Sequence, residues 1–388
     1  MTKRTTFIDD PEHLVEALEE LTDPVLGCDV ERADADNYFR RAALVQLGDA
    51  EHVLLVDAVA LPSLPAMHRH LLGHTTILHA IENDIVPLDA ADVLLEGVAD
   101  TSIAAALLGL PTGLDPLLQE LMGVSLSPDK EKFQRADWTM RPLPDDMAAY
   151  AADDVFHLPA LWALLEERLD EAGRRSWYDQ ELEAVVERAR QDTRDWTRTR
   201  GMGKLSPEER LVLRALWDER EAISREGNIA PSRVLREETL VKLAQEPARN
   251  VGDLVRRNQR RRRPTDEQAE RLFDAQVRGA DAEPEPKPDR SRTWDPSDRK
   301  VYDSLRKRRA TVADELGIDS GVLAPSKPLW DAVVADPEGG EELCLAAGMR
   351  QWQVEVLAEP LWETYVATRE RAATPVTDDE NLDEAAAS

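Results

Sequence analysis

Four acidic side chains and one tyrosine have the types and spacing of a metal-dependent catalytic site. Asp29 and Glu31 are two residues apart in an apolar segment, so on a β-strand both carboxylates would emerge on one face. Asp84 follows a later apolar segment, and Tyr150 and Asp154 are four residues apart, which places them on one face of a helix. Paired carboxylates in an apolar setting are costly unless a cation neutralises them. Carboxylate oxygens are the ligands that Mg²⁺ and Mn²⁺ prefer, so the pattern predicts metal-assisted phosphate chemistry.

Alternating strands and helices must position these residues. Short apolar runs between turn residues predict neighbouring strands at residues 24–31, 42–47, 52–57 and 75–80. Helical periodicity then predicts helices at residues 103–110, 114–122, 147–169 and 177–189. Pro144, followed directly by two acids, is typical of a helix start because acidic side chains suit the positive end of a helix.

Each motif alone is weak, because Asp-x-Glu and Tyr-x₃-Asp occur by chance in any acidic chain. Their order, on a first strand, after a later strand and on a late helix, resembles the DEDD exonucleases with a tyrosine in the third motif. The segments 29–47, 78–84, 100–109, 132–144 and 150–155 are similar to the motifs of the ribonuclease D family. Val30 departs mildly from the family's usual Thr or Ala. The resemblance covers about residues 5–370 and implies an α/β exonuclease domain with a ribonuclease H-like mixed sheet flanked by helices.

The resemblance also implies a mechanism with two divalent metal ions, Mg²⁺ or Mn²⁺. Asp29 would contact both ions, Glu31 and Asp154 would complete the first site, and Asp84 would support the second. Tyr150 would orient the attacking water, and the products would be nucleoside 5′-monophosphates released from an RNA 3′ end. Asp153 adds an adjacent carboxylate, but the spacing from Tyr150 selects Asp154 as the ligand.

The second half of the chain reads as helical, and its two helical segments are similar to HRDC domains. Each contains a helix, a turn, Ala-Pro-Ser and a second helix, with the tripeptides 94 residues apart at 230–232 and 324–326. The predicted organisation is an exonuclease domain at 1–190, a linker at 191–204, an HRDC-like domain at 205–280, a Pro- and charge-rich linker at 281–292, a second HRDC-like domain at 293–370, and a disordered acidic tail at 371–388.

The charge distribution differs between the predicted domains, which indicates different roles for them. The chain carries a formal net charge of −29, and residues 1–185 hold 36 acidic but only 13 basic side chains, whereas residues 205–280 hold 14 and 16. The run containing Arg260, Arg261, Arg262 and Arg263 is the strongest basic patch. It is either a solvated helix end or a phosphate-contacting edge that brings RNA to an acidic catalytic domain.

Three further residues are candidate substrate contacts, and a purely structural role is the alternative for them. His79 precedes Asp84 by five residues and could contact substrate phosphate or be a packed histidine. Trp138 and Arg141 could stack on or clamp the 3′ nucleotides, although a core role suits Trp138 equally well. His157 is interpreted as structural.

Other features set the class and the competing functions. No apolar run approaches the length of about 20 residues that spans a bilayer, and the N-terminal sequence does not resemble a signal peptide. Cys28 and Cys344 are expected to be buried free thiols, and the expected location is the cytoplasm. The expected partner is RNA, with tRNA precursors favoured, and no obligate protein partner or membrane is expected. A DNA-directed 3′→5′ exonuclease and a non-catalytic nucleic-acid scaffold are the alternatives.

Overall fold

A six-stranded mixed sheet organises the first part of the chain. The computed structural model describes residues 3–33, 36–126, 130–133, 136–191, 194–258, 264–283 and 296–373. The strands are β1 (Arg4–Ile8), β2 (Val25–Arg32), β3 (Ala42–Gly48), β4 (His52–Asp57), β5 (Thr75–Leu78) and β6 (Val98–Asp100). Their order is β1-β4-β3-β2-β5-β6, with β3 antiparallel to both of its neighbours and the remaining pairs parallel. All seven residues of β3 are buried, as expected for a central strand whose two faces are covered.

Helices alternate with these strands along the chain and continue after the last one. They are α1 (Pro11–Leu18), α2 (Pro65–Leu71), α3 (Ile85–Ala90), α4 (Thr101–Leu107), α5 (Leu114–Met122), α6 (Lys130–Phe133), α7 (Asp145–Phe156), α8 (Leu158–Glu171) and α9 (Arg175–Arg190). Helix α7 packs against β2, β3 and β4, and α3 packs against β2 and β3. The core therefore lies between the central strands and these helices.

The sequence predicted the four central strands and missed the two edge strands, β1 and β6. The single helix predicted at 147–169 is wrong, because the structure has two helices that meet at His157. Pro159, in the first turn of α8, lacks the amide hydrogen and the space that a continuous helix would need there. The mixed α/β fold class itself is confirmed.

Two helical modules follow, each with five helices in the same order. The first has α10 (Pro207–Gly227), α11 (Pro231–Val234), α12 (Glu237–Gln245), α13 (Val251–Arg257) and α14 (Asp266–Asp281). The second has α15 (Pro296–Leu316), α16 (Ser320–Leu323), α17 (Ser326–Val334), α18 (Gly340–Ala346) and α19 (Gln351–Ala373). In the first module, leucines and valines from all five helices form an apolar core.

The modules are related by an offset of 89 residues, not by the 94 residues that separate the Ala-Pro-Ser tripeptides. The first four helices of each module begin 89 residues apart. The tripeptide at 230–232 leads into α11, whereas the one at 324–326 leads into α17, so they are not structurally equivalent. Buried arginines mark the true correspondence: Arg220 donates to the carbonyl of Leu235 and Arg309 to that of Ala324, each 15 residues away.

Two compact units divide the chain differently from the order of the predicted domains. One contains Met1–Thr101, Leu118–Leu164 and Ala184–Asp289, and therefore both the sheet and the first helical module. The other contains Ser102–Leu117, Leu165–Glu183 and Arg290–Ser388. The domain limits from the sequence stay predictions, and the segment 284–295 and the tail beyond 373 lie outside the described residues.

The expectation of buried free cysteines is confirmed where the structure describes the chain. Cys28 and Cys344 are buried free thiols. Among the described helices, none combines the length and apolar character needed to cross a membrane.

Candidate active site

Strand β2 presents Asp29 and Glu31 on the sheet face that α7 covers. In the antiparallel ladder with β3, Gly27 pairs with Gly48 and Asp29 with Gln46. The glycines allow the helix to approach closely: a Cβ atom on Gly27 would lie 2.3 Å from the carbonyl oxygen of Val155. The helix that carries the third motif therefore rests almost directly on the strand that carries the first.

This approach brings three carboxylates together. Ligand oxygens of Asp29, Glu31 and Asp154 all lie within 4.8 Å of one another, a spacing that one cation could bridge. Tyr150, one turn before Asp154 on α7, forms a hydrogen bond with that carboxylate. The first and third motifs predicted from spacing are thus adjacent in the fold.

The cluster is electrostatically unfavourable without a cation. Burial, followed by the charges of Asp29 and Asp154, raises the pKa of Glu31 from 4.5 to about 9. Burial and the same acidic surroundings raise the pKa of Tyr150 far above its ordinary value, so its hydroxyl keeps its proton. A bound divalent cation would remove this repulsion, and the donor set therefore fits a hard metal ion.

Asp84 belongs to the same electrostatic site, although its ligand atom is not part of the three-carboxylate cluster. It is 3 % exposed and follows a 3₁₀ turn, Ile81–Asn83, at the end of β5. Burial, then the charges of Asp29 and Asp100, raises the pKa of Asp84 well above its ordinary range. The backbone amide of Ile81 donates to Asp100 over 2.6 Å, which fixes the turn that carries Asp84.

Asp153, the neighbouring acid, is directed elsewhere. Its carboxylate forms an ion pair with Lys3. Adjacent positions in the sequence leave either aspartate as a candidate ligand. In the structure the side chain of Asp154 lies on the side of α7 that faces β2, beside Asp29 and Glu31.

His79 is half-buried and oriented by a short hydrogen-bond relay. The hydroxyl of Thr101 donates to the carbonyl of Leu78 over 3.1 Å, so it accepts from Nδ1–H of His79 over 2.9 Å. This arrangement assigns the proton to Nδ1 and leaves Nε2 as the acceptor. A phosphate contact by His79 stays a prediction.

Trp138 and Arg141 have internal partners. Trp138 is 3 % exposed, and its indole nitrogen donates to the carbonyl of Phe133 over 3.1 Å. Arg141 grips the Asp57 carboxylate with two nitrogens, at 2.6 and 2.5 Å, and donates to the carbonyl of Ala43 over 3.0 Å. The Arg141 pairing lowers the pKa of Asp57 despite its burial. Burial of Trp138 favours the core role, and the donors of Arg141 are engaged within the protein. A substrate contact by either side chain stays a prediction.

The loop that follows β2 is attached to the first helical module. Asn228, which ends α10 in a left-handed conformation with φ of 45°, accepts from the backbone amides of Tyr38 and Phe39 at 3.1 and 3.0 Å. The amide of Ala230 donates to the carbonyl of Asp36 over 2.9 Å. The first helical module therefore holds the chain shortly after β2.

The predicted basic run, Arg260 to Arg263, lies outside the described residues. Just before it, Arg257 is partly engaged by the carbonyl of Glu246 and by Asp253, while Arg256 is largely exposed beside Asp253. A groove of about 620 Å³ lies nearby in the first module. It is lined by both charge signs, including Arg236, Glu238, Lys242, Glu246 and Arg257.

Sequence reasoning missed several supporting residues. Asp100, the first residue of the segment 100–109, fixes the turn before Asp84, and its sequence position alone does not indicate this role. Gln46 is fully buried directly opposite Asp29. Asn228 supports the loop after β2 from 190 residues away. A Gln inside the apolar run of β3 was the one visible signal among these.

Comparison with known proteins adds a family context. A family model described as 3′-5′ exonuclease matches residues 5–170, and an HRDC domain model matches residues 209–275. A ribonuclease D of Xanthomonas oryzae is 28% identical over 362 residues, covering 90% of this chain and 96% of that protein. A ribonuclease D of Pseudomonas paraeruginosa is 34% identical over 241 residues. That alignment spans 60% of this chain and 63% of the relative's length, slightly under two thirds.

Solved structures share the fold. The crystal structure of Escherichia coli RNase D, described as an exoribonuclease involved in structured RNA processing, superposes with a TM-score of 0.74 at 23% identity and covers 95% of this chain and 99% of that one. A protein from Bifidobacterium adolescentis gives the same TM-score at 24% identity, covering 93% and 97%. At these identities the structural likeness establishes the architecture.

Proposed function

We propose that this chain is a 3′→5′ exoribonuclease of the ribonuclease D family, which releases nucleoside 5′-monophosphates from RNA. The observation that carries this proposal is the meeting of Asp29, Glu31 and Asp154 within 4.8 Å, with Tyr150 bonded to Asp154. Asp84, buried within their electrostatic reach, provides a fourth carboxylate.

We infer two divalent ions at this site, Mg²⁺ or Mn²⁺. Asp29 would contact both, Glu31 and Asp154 would hold one, and Asp84 would support the other. Such ions would stabilise charge on the scissile phosphate and lower the pKa of the attacking water. The raised pKa of Glu31 in the metal-free cluster supports this, since a cation is what allows these acids to ionise together.

Tyr150 has the properties of an orienting hydrogen-bond donor. Its pKa is raised, so the phenol stays protonated over the whole working pH range and does not act as a base or nucleophile. The hydrogen bond to Asp154 and the packing of its ring against Phe133, with centroids 4.9 Å apart, hold the hydroxyl in place. It can therefore orient water beside the acids.

The proposed substrate is structured RNA such as a tRNA precursor with a 3′ trailer. An acidic catalytic domain is poorly suited to bind RNA alone, so we assign much of the RNA-binding affinity to the first helical module and its run Arg260–Arg263. The buried free thiols favour a reducing compartment, and we infer a cytoplasmic location.

The test compares two adjacent aspartates. Purified wild-type protein, Asp154→Asn and Asp153→Asn are incubated with 5′-labelled single-stranded RNA or matched DNA, in Mg²⁺, Mn²⁺ or EDTA. We expect a ladder that shortens from the RNA 3′ end, nucleoside 5′-monophosphate products, and no activity in EDTA. Asp154→Asn should lose at least about a thousandfold in rate, since it removes a ligand from a metal-dependent site. Asp153→Asn should stay within a few fold of wild type, because Asp153 pairs with Lys3.

Each alternative predicts a different result. Degradation of DNA in preference to RNA would favour the DNA-directed exonuclease. Binding without degradation in any metal would favour the scaffold. Endonucleolytic fragments, or equal losses in the two aspartate variants, would contradict the proposed site.

A further inference from the structure

Gln46 is a buried polar residue that the proposed chemistry leaves unexplained. It lies in the middle of β3, its side chain is fully buried, and neither its amide nitrogen nor its amide oxygen has a hydrogen-bond partner. A buried amide without a partner destabilises a fold, because its bonds to water are lost and not replaced. The buried amide of Gln46 therefore calls for a functional explanation.

Its place in the sheet points to the acidic cluster. Gln46 is directly opposite Asp29 in the β2–β3 ladder, and directly opposed residues present their side chains on the same face. Their Cβ atoms are about 4.5–5.5 Å apart in such pairs, so the longer glutamine reaches the carboxylate of its partner after a small rotation. Helix α7 closes this face and excludes water from the amide.

The other buried glutamines of the described residues differ. Gln276 accepts from the amide of Ala248 over 2.9 Å and donates to its carbonyl over 3.0 Å. Gln353 accepts from the amide of Arg350 and donates to the carbonyl of Leu323, both over 2.8 Å. Each fastens two chain segments through both ends of its amide. Gln46 does not.

We propose that Gln46 is a positioning residue for Asp29 in the metal-loaded site, an inference that rests on the proposed function. Its side-chain NH₂ donates to the Asp29 carboxylate once that carboxylate turns toward a cation. A carboxylate has about four acceptor positions, so it can bind metal and accept this bond together. The bond limits the rotation of Asp29 and so raises the affinity of the site for metal. The unpartnered amide of the metal-free protein is the cost of this arrangement.

The experiment measures metal binding by thermal denaturation, without relying on activity. Wild type, Gln46→Leu and Gln46→Met are melted in EDTA and across a Mn²⁺ titration. In EDTA, both variants should melt about 2–5 °C above wild type, because an unsatisfied amide has been replaced by an apolar group of similar volume. The Mn²⁺ concentration at half-maximal stabilisation should rise about 10–100-fold, the usual effect of losing a residue that supports a metal ligand.

Gln276→Leu is the matched control. It loses both bonds to Ala248, so its melting temperature in EDTA should fall, while its Mn²⁺ midpoint should equal that of wild type. The two glutamines thus predict opposite changes in stability and different changes in metal response.

Three results would overturn the inference. An unchanged Mn²⁺ midpoint in both Gln46 variants would remove the positioning role, whatever their stability. A lower melting temperature of both variants in EDTA would show that Gln46 has a structural bond in the metal-free protein. If wild type itself shows no response to Mn²⁺ or Mg²⁺, the proposed metal-dependent function fails as well, which separates that failure from the first two.

Discussion

Replacing Glu31 by glutamine should stabilise the metal-free protein and weaken the metal-loaded one. The pKa of Glu31 is raised from 4.5 to about 9 in the fold, so the folded state keeps a proton that the unfolded chain releases. Stability is therefore highest below pH 4.5 for this group, and it falls as the pH rises toward 9. Glutamine is a neutral residue of the same shape and is insensitive to this change.

The size of the effect follows from the shift. The cost of Glu31 grows by about 1.4 kcal/mol per pH unit above 4.5, which gives an upper limit of about 5 kcal/mol at pH 8. Relaxation and water entry reduce such values, and we expect Glu31→Gln to gain about 2–5 kcal/mol in EDTA at pH 8. That corresponds to a rise of about 3–10 °C in melting temperature. Near pH 4.5 the difference should nearly vanish.

Differential scanning calorimetry from pH 5 to 8.5, in EDTA and in saturating Mn²⁺, measures both halves of the prediction. In Mn²⁺ the order should reverse, because the variant has lost a ligand and with it part of the stabilisation by bound metal. Glu51→Gln, at an exposed turn of the same sheet, is the control and should change stability by less than about 0.5 kcal/mol. A variant that is less stable than wild type in EDTA at pH 8, or a difference independent of pH, would refute the reasoning.

Three further changes test other parts of the structure. Replacing Arg260–Arg263 by serine should weaken the binding of long RNA and reduce the salt dependence of that binding, measured by fluorescence anisotropy, while cleavage of very short oligonucleotides is kept. Equal losses of activity on long and short substrates would contradict an RNA-binding role of this run. Gly27→Ala should cost about 1–3 kcal/mol on chemical denaturation and reduce the rate of cleavage, since its Cβ would meet the Val155 carbonyl; wild-type stability would contradict the close approach. Asn228→Ala should accelerate hydrogen exchange at the Tyr38 amide, and unchanged exchange would show that the loop holds itself.

The motifs were readable from sequence because they depend on local periodicity. Asp29 and Glu31 lie on the same face of any strand, and Tyr150 and Asp154 lie on the same face of any helix. Their proximity in the structure could therefore be predicted from spacing. The same reasoning missed β6, a strand of three residues whose pairing with β5 only the folded sheet provides. Short edge elements lack a pattern long enough to recognise.

The partners of long-range side chains could not be predicted. Arg141 forms an ion pair with Asp57, 84 residues away in the sequence, and no pattern in either segment predicts that pairing. Gln46 looked like one polar residue in a strand, whereas its burial depends on α7 and its neighbour on the register of β2 and β3. Tertiary packing decides such features, and a single sequence does not encode it in any local pattern.

The Ala-Pro-Ser repeat shows how a local match can mislead. Identical tripeptides suggested an offset of 94 residues, but the helices repeat at 89. Proline suits a helix start, so the same three residues occur at the start of α11 in one module and of α17 in the other: Pro231 is the first residue of α11, whereas Pro325 is the N-cap of α17. The element order was predictable and the alignment was not.

Because Asn228 binds the loop after β2 from the end of α10, the length of α10 determines whether that contact can form. One residue inserted into that 21-residue helix would turn its end by about 100° and advance it by about 1.5 Å. The Asn228 side chain would then face away from the amides of Tyr38 and Phe39. Substitutions along the exposed side of α10 should be tolerated during evolution, but insertions and deletions within it should not. The length of a helix in the first module is thereby held constant by the needs of the catalytic strand.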